Sequence, residues 1–104
     1  MHPVARESEV APGSLKGVVL PDGSRVCLAN VDGEIMAVRD VCSHQAFPLS
    51  EGTLLSGGVI ECAWHGARFD CRSGEALTPP AEEPIVRYAV TVRDGIVYVA
   101  EEVA

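Results

Sequence analysis

Along most of this chain apolar and polar residues alternate or fall into short apolar runs, and they scarcely recur at the three-to-four-residue spacing of an amphipathic helix. A period of two is what a strand with one face in a core requires, because successive side chains point to opposite sides. Three Asp-Gly pairs punctuate the pattern. Asp22-Gly23 separates residues 15–20 from 25–30, Asp32-Gly33 separates that run from 34–39, and Asp94-Gly95 separates 85–92 from 96–100. Asp and Gly both tolerate positive φ, which tight hairpin turns demand, so each pair predicts an antiparallel hairpin. Val90, Val92, Ile96, Val97 and Val99 are expected to be strand core. The pattern predicts an all-β domain spanning residues 1–104, and an apolar content of 47 % is enough for one modest core.

Between the second and third hairpins, residues 40–84 are rich in Gly and Pro and should form an inserted subdomain. Short strands are expected at 59–62, 68–70 and 75–77. Gly52, Gly57, Gly58, Gly66 and Gly74 suit tight turns and close approach of the backbone. Thr78-Pro79-Pro80-Ala81 is a locally stiff stretch, and Pro-rich stretches of this kind commonly serve as plain linkers.

The chemistry lies in this insert. Cys42-Ser43-His44 and Cys62-Ala63-Trp64-His65 supply two thiolates and two imidazoles. A Rieske-type 2Fe-2S cluster needs that set, with two Cys on one iron and two His on the other, so each pair would give one ligand to each iron. Neutral imidazoles in place of two thiolates leave the cluster less negative and easier to reduce. Such a chain would carry electrons. Two Cys with two His can also hold one structural zinc, although zinc fingers usually group like with like, whereas here each pair mixes the types. The chain has three histidines. With His44 and His65 assigned, His2 is left in a terminus expected to be mobile. That excludes a further mononuclear iron held by two His and a carboxylate.

On these residues the chain resembles the Rieske ferredoxins that serve bacterial aromatic-ring-hydroxylating oxygenases. The likeness is strongest over Val41-Cys42-Ser43-His44, Leu49-Ser50-Glu51-Gly52-Thr53-Leu54, Ile60 to Asp70, and Tyr88-Ala89-Val90-Thr91-Val92. The resemblance implies a fold of antiparallel sheets forming a basal sandwich or barrel, with the cluster-binding subdomain inserted at about 40–84. It implies one Rieske-type 2Fe-2S cluster, with Cys42 and Cys62 on the buried iron and His44 and His65 on the outer one. It also implies a flavin-containing ferredoxin reductase using NAD(P)H as donor, a terminal oxygenase as acceptor, and no catalytic site on this chain. Phe47 and Trp64 stand where respiratory relatives carry a disulfide, and would cover the cluster, with a partner-docking patch the equal alternative for Trp64; by the same resemblance the Thr78-Pro79-Pro80-Ala81 stretch would lie over the cluster as a third wall. Ala67 and Phe69 stand where those relatives place a serine and a tyrosine hydroxyl against the cluster. Fewer donors stabilise the reduced form less, so a potential of about -150 mV, and not about +300 mV, is expected. Two other readings stay open: the small subunit of a nitrite-reductase-type enzyme, and a zinc-stabilised binding module.

Fifteen acids against eight bases give a net charge of -7, which repels nucleic acid and anionic lipid; it would attract a basic partner surface, but the acids are scattered, and general solubility accounts equally well for them. No apolar run of about 18 residues or signal-peptide pattern occurs, so the expectation is a soluble, cytoplasmic monomer without membrane attachment. Cys27 and Cys71 are expected to be thiols that pack the core. Arg68 is expected to pair with Asp70 or Glu61.

Overall fold

The computed structural model describes residues 1–41, 48–63, 66–78 and 84–103, and among them ten strands. Six of these, β1 (His2–Arg6), β2 (Leu15–Val19), β3 (Arg25–Val31), β4 (Glu34–Arg39), β9 (Arg87–Arg93) and β10 (Ile96–Val103), form one antiparallel sheet in the order β1-β10-β9-β4-β3-β2. Its edge strands β1 and β2 meet, so the sheet is a nearly closed barrel. The other four, β5 (Thr53–Leu55), β6 (Val59–Glu61), β7 (Arg68–Asp70) and β8 (Ala76–Thr78), form a second antiparallel sheet in sequence order, inside the 40–84 segment.

Strand β3 explains how the two sheets are joined. Its run Val26-Cys27-Leu28-Ala29-Asn30-Val31 is buried at every position, as a strand covered on both faces must be. Val26 and Leu28 belong to the barrel core with Ile35, Ala37, Tyr88, Val97 and Val99. Cys27, Ala29 and Val31 belong to a second core, with Val38, Leu49, Ile60, Cys62, Ala67, Phe69, Cys71 and Ile85. Alternation along one strand therefore feeds both cores. Asn30 is the polar exception on β3. Its Nδ2 donates to the Val10 carbonyl at 2.7 Å and its Oδ1 accepts from the Gly33 amide at 2.7 Å, so its burial leaves no polar group unsatisfied.

Two of the predicted turns are two-residue hairpins. Asp32 and Asp94 both have φ of 53°, each followed by a glycine at positive φ, and the flanking pairs are Val31↔Glu34 and Ile96↔Arg93. The Asp22-Gly23 turn is longer. Leu20 donates its amide to the Ser24 carbonyl at 2.8 Å, and Asp22 Oδ1 accepts from the Ser24 amide at 2.8 Å, holding its carboxyl below the usual range.

The structure departs from the sequence expectations at several places. His2 lies in β1, paired with Val99 on the outer edge of β10, and not in a mobile terminus; Pro3 is tolerated because β1 is an edge strand. Val92 is 38 % exposed and is not core, whereas Val97 and Val99 are fully buried. Strand β5 was not expected. Strand β8 lies one residue beyond 75–77, with a register shift against β7.

Candidate metal centre

Strand β6 ends at Glu61 and delivers Cys62. Ile60 and Cys62 point inward with 0 % and 1 % exposure, while Glu61 between them turns outward by the alternation of the strand. The Cys62 amide donates to the Ala67 carbonyl at 2.7 Å, closing the base of the loop before β7 returns. Ala67 and Phe69 are fully buried in the same core as Cys62. Outside the core, Glu61 faces Arg68 across the strands, and Arg68 Nε lies 2.9 Å from Glu61 Oε2. Glu61 is thus the partner of Arg68. Asp70 is engaged elsewhere, its Oδ1 accepting from the Arg72 and Ser73 amides at 2.7 and 3.4 Å.

Of the four predicted ligands, Cys62 is described; Cys42, His44 and His65 lie outside the described residues, as do Phe47, Trp64 and Pro79-Pro80-Ala81. The segments flanking them bring their own contacts. Before the first pair, Asp40 is 4 % exposed and its amide donates to the Arg25 carbonyl of β3 at 2.9 Å. After that pair comes a 3-10 turn, Leu49–Glu51, with Leu49 fully buried. Asp40 Oδ1 accepts from the Ser50 amide and Asp40 Oδ2 from Ser50 Oγ, both at 2.6 Å. Gly52 then passes so close to β6 that a β-carbon there would collide with the Glu61 carbonyl oxygen. The descending flank of the first loop therefore touches the residue that precedes Cys62.

A third contact fixes the chain on its return from residues 79–83. The Ile85 amide donates to the Gly74 carbonyl at 2.8 Å. Gly74 has φ of +79°, and a β-carbon there would sit 2.5 Å from the Ile85 carbonyl oxygen, so a side chain is excluded both by backbone conformation and by space.

The two remaining cysteines are buried free thiols. Burial is the main cause that pushes the Cys27 thiol up, and the nearby Asp40 charge adds to it. Cys71 is pushed up by burial first and then by Asp70, and its Sγ lies 3.6 Å from Met36 Sδ. Because metals bind the thiolate, both are poor ligands as they stand. They fill the second core, as expected.

Asp40, Ser50 and the Gly52 contact were not singled out from sequence. Asp40 follows an apolar strand two positions before Cys42, and that proximity was the available signal; its pairing with a residue ten positions on has no periodic signature.

The donor set fits a Rieske-type cluster: two Cys-His pairs, one thiol 1 % exposed within the second core, and flanks of the two pairs that meet at Glu61. Comparison with known proteins agrees. The Rieske [2Fe-2S] domain model matches residues 1–92. The ferredoxin component of the p-cumate 2,3-dioxygenase system of Pseudomonas putida is 42 % identical over 91 residues, covering 88 % of this chain and 77 % of that protein. The biphenyl dioxygenase ferredoxin subunit of Pseudomonas sp. strain KKS102 is 41 % identical over 91 residues, covering 86 % and 83 %. Among solved structures, a chain from the complex of reduced oxygenase and oxidized ferredoxin in carbazole 1,9a-dioxygenase superposes with a TM-score of 0.88 at 35 % identity, covering 96 % of this chain and 92 % of that one. The chain belongs to the Rieske [2Fe-2S] domain family and carries one Rieske-type cluster.

Proposed function

We propose that this chain is the electron-transfer ferredoxin of an aromatic-ring-hydroxylating dioxygenase system, taking single electrons from a flavin-containing NAD(P)H-dependent ferredoxin reductase and passing them to the terminal oxygenase. The observation that carries the reading is the 42 % identity, over 88 % of the chain, to a protein named as a dioxygenase ferredoxin component. The chain acts as the carrier component and leaves the oxygen chemistry to its partner.

In this reading Cys42, His44, Cys62 and His65 hold the cluster, which accepts and releases one electron when bound. The chain's own residues set the terms. Cys62 lies in a core that excludes water, so charge there is weakly screened. Ala67 and Phe69, buried in that core, bring no hydroxyl donor. A reduced state lacking such donors is less stabilised, which supports a potential near the low end of the Rieske range, about -150 mV. A net charge of -7 speeds encounter with basic partner faces without requiring tight affinity. Among the described residues no helix is long and apolar enough to cross a membrane.

The test is the visible and low-temperature EPR spectrum of the purified protein before and after dithionite, with iron and sulfide quantified. The expected result is a red-brown protein whose reduced form gives a rhombic signal of low average g, lost in Cys42→Ser, His44→Ala, Cys62→Ser and His65→Ala. Stopped-flow reduction by a flavin reductase and reoxidation by an oxygenase component should then follow at rates that support turnover. A colourless protein holding zinc would reinstate the binding-module reading. A loaded cluster that exchanges electrons with neither partner, but sits in a stable complex with a nitrite-reductase-type subunit, would reinstate the other.

A further inference from the structure

We infer that Asp40 and Ser50 form a positioning pair for the metal centre, joining the two flanks of the first ligand segment and holding the second flank close to the residue that precedes Cys62. The inference rests on the assignment of Cys42, His44, Cys62 and His65 as ligands.

Asp40 lies two residues before Cys42, and Ser50 lies six after His44. Both carboxylate oxygens of Asp40 go to one residue, at 2.6 Å to the Ser50 amide and 2.6 Å to its hydroxyl. The pair thereby ties together the two ends of the segment that holds Cys42 and His44. A carboxylate with 4 % exposure is costly to bury, and bonds of this kind, with an ionised acceptor, are the stronger ones that offset such a cost. A cap or turn on the surface would not need it.

The pair is anchored on one side and coupled on the other. On the barrel side, the Asp40 amide is bound to β3 through the Arg25 carbonyl at 2.9 Å, and β2 runs directly against the pair at Gly17. A β-carbon at Gly17 would lie 2.8 Å from Ser50 Oγ and 2.9 Å from Asp40 Oδ2, so a glycine is needed there to leave the hydroxyl in its place. On the subdomain side, Gly52, two residues after Ser50, abuts the Glu61 carbonyl, and Glu61 is bonded to Cys62. Hydrogen bonds between the barrel and Asp40 and between Ser50 and Asp40, the chain from Ser50 to Gly52, the close approach of Gly52 to Glu61 and the peptide bond from Glu61 to Cys62 thus link the barrel to Cys62. Side chains that orient ligands in this way raise metal affinity by removing the disorder that binding would otherwise have to overcome.

The test compares wild-type protein with Ser50→Ala, Asp40→Asn, their double variant and Gly17→Ala. Cluster loss to excess EDTA is followed by the decay of visible absorbance, with the reduced-state EPR spectrum and the urea midpoint of the iron-free protein measured alongside. Ser50→Ala removes the hydroxyl donor to Asp40 and changes no formal charge. The expected result is cluster loss about ten- to a hundredfold faster in Ser50→Ala and Asp40→Asn, with shifted or broadened g values. The double variant should lose the cluster no faster than the worse single one, because the two side chains act as a unit. Gly17→Ala should reproduce the effect by displacing the hydroxyl. Wild-type cluster-loss rates and g values in Ser50→Ala and Gly17→Ala would overturn the inference, even if the iron-free protein were destabilised, since that pattern is a purely structural role. Should Asp40→Asn fail to fold, Ser50→Ala and Gly17→Ala decide alone. A wild-type protein that binds no iron would overturn the ligand assignment itself, and is distinguished by the wild-type sample.

Discussion

At both Gly52 and Cys27 the surroundings decide what the residue contributes. At Gly52 the φ of -86° is open to any residue, so the requirement for glycine comes from the Glu61 carbonyl that a β-carbon would strike. Gly52→Ala is expected to cost about 1–3 kcal/mol, the usual range for overpacking, and to lower the iron retained per chain; urea unfolding and iron analysis check both. Cys27 is fully buried, and its thiol is raised above the ordinary 9.0. The folded chain keeps a proton there that the unfolded chain gives up. Its contribution is therefore fully present below the unfolded value and is lost as pH climbs above it, by up to about 1.4 kcal/mol per pH unit. Cys27→Ala should flatten the alkaline fall in urea midpoints, whatever it does to their level at neutral pH. The packing role of Cys27 could be read from its place in an apolar run. A close backbone approach at Gly52 is within what the sequence suggests, but its partner is not, because Glu61 is nine positions away in sequence.

Among the elements, hairpins were the most legible. Asp32-Gly33 and Asp94-Gly95 carry their own turn chemistry, and the strands they join appear where the alternation puts them. Strands β1 and β5 escaped notice because each is a short edge strand stabilised by its partner, β10 or β6, and not by its own pattern. The outer face of the small sheet carries the pair Glu61–Arg68, with side chains 33 % and 47 % exposed. Pairs that open to solvent contribute little, so Glu61→Gln should shift the unfolding free energy by no more than about 1 kcal/mol and leave the EPR spectrum unchanged. A spectral change would mean that the pair reaches the ligand loop through Cys62. A second exposed pair, Arg72 Nη1 to Glu34 Oε1 at 3.1 Å, joins the turn after β7 to β4, while Arg87 Nη1 donates to the Arg72 carbonyl at 2.7 Å. The firmer attachment of the small sheet to the barrel is the part-buried contact of Cys71 with Met36 and the core around it.

At the scale of the molecule, none of the four proposed ligands belongs to a barrel strand, and the barrel works as the frame from which the 40–84 segment is built out. Strands β3 and β4 send alternate residues into the barrel core and into the core that holds Cys62, so the site inherits the rigidity of the whole sheet. The charge of -7 acts at this scale too. If it steers the ferredoxin to basic partner faces, the second-order rate of electron transfer to the oxygenase should fall several-fold as ionic strength rises from about 0.01 to about 0.15 M. A rate independent of salt, measured by stopped flow, would assign the acids to solubility alone.

By itself the sequence determined the all-β class, two of the tight turns, the identity of the candidate ligands and the family they point to. Each of these is encoded within a few consecutive residues: a period of two, an Asp-Gly pair, a Cys-x-His or Cys-x-x-His. Only the tertiary structure decided which acid Arg68 meets, that Asp40 closes on Ser50, that Gly17 leaves room for that pair, and that Gly52 seats the first loop against Glu61. Those are contacts between segments brought together by the shared core, and their partners are chosen by packing and by the need to satisfy buried polar groups, which local pattern does not record.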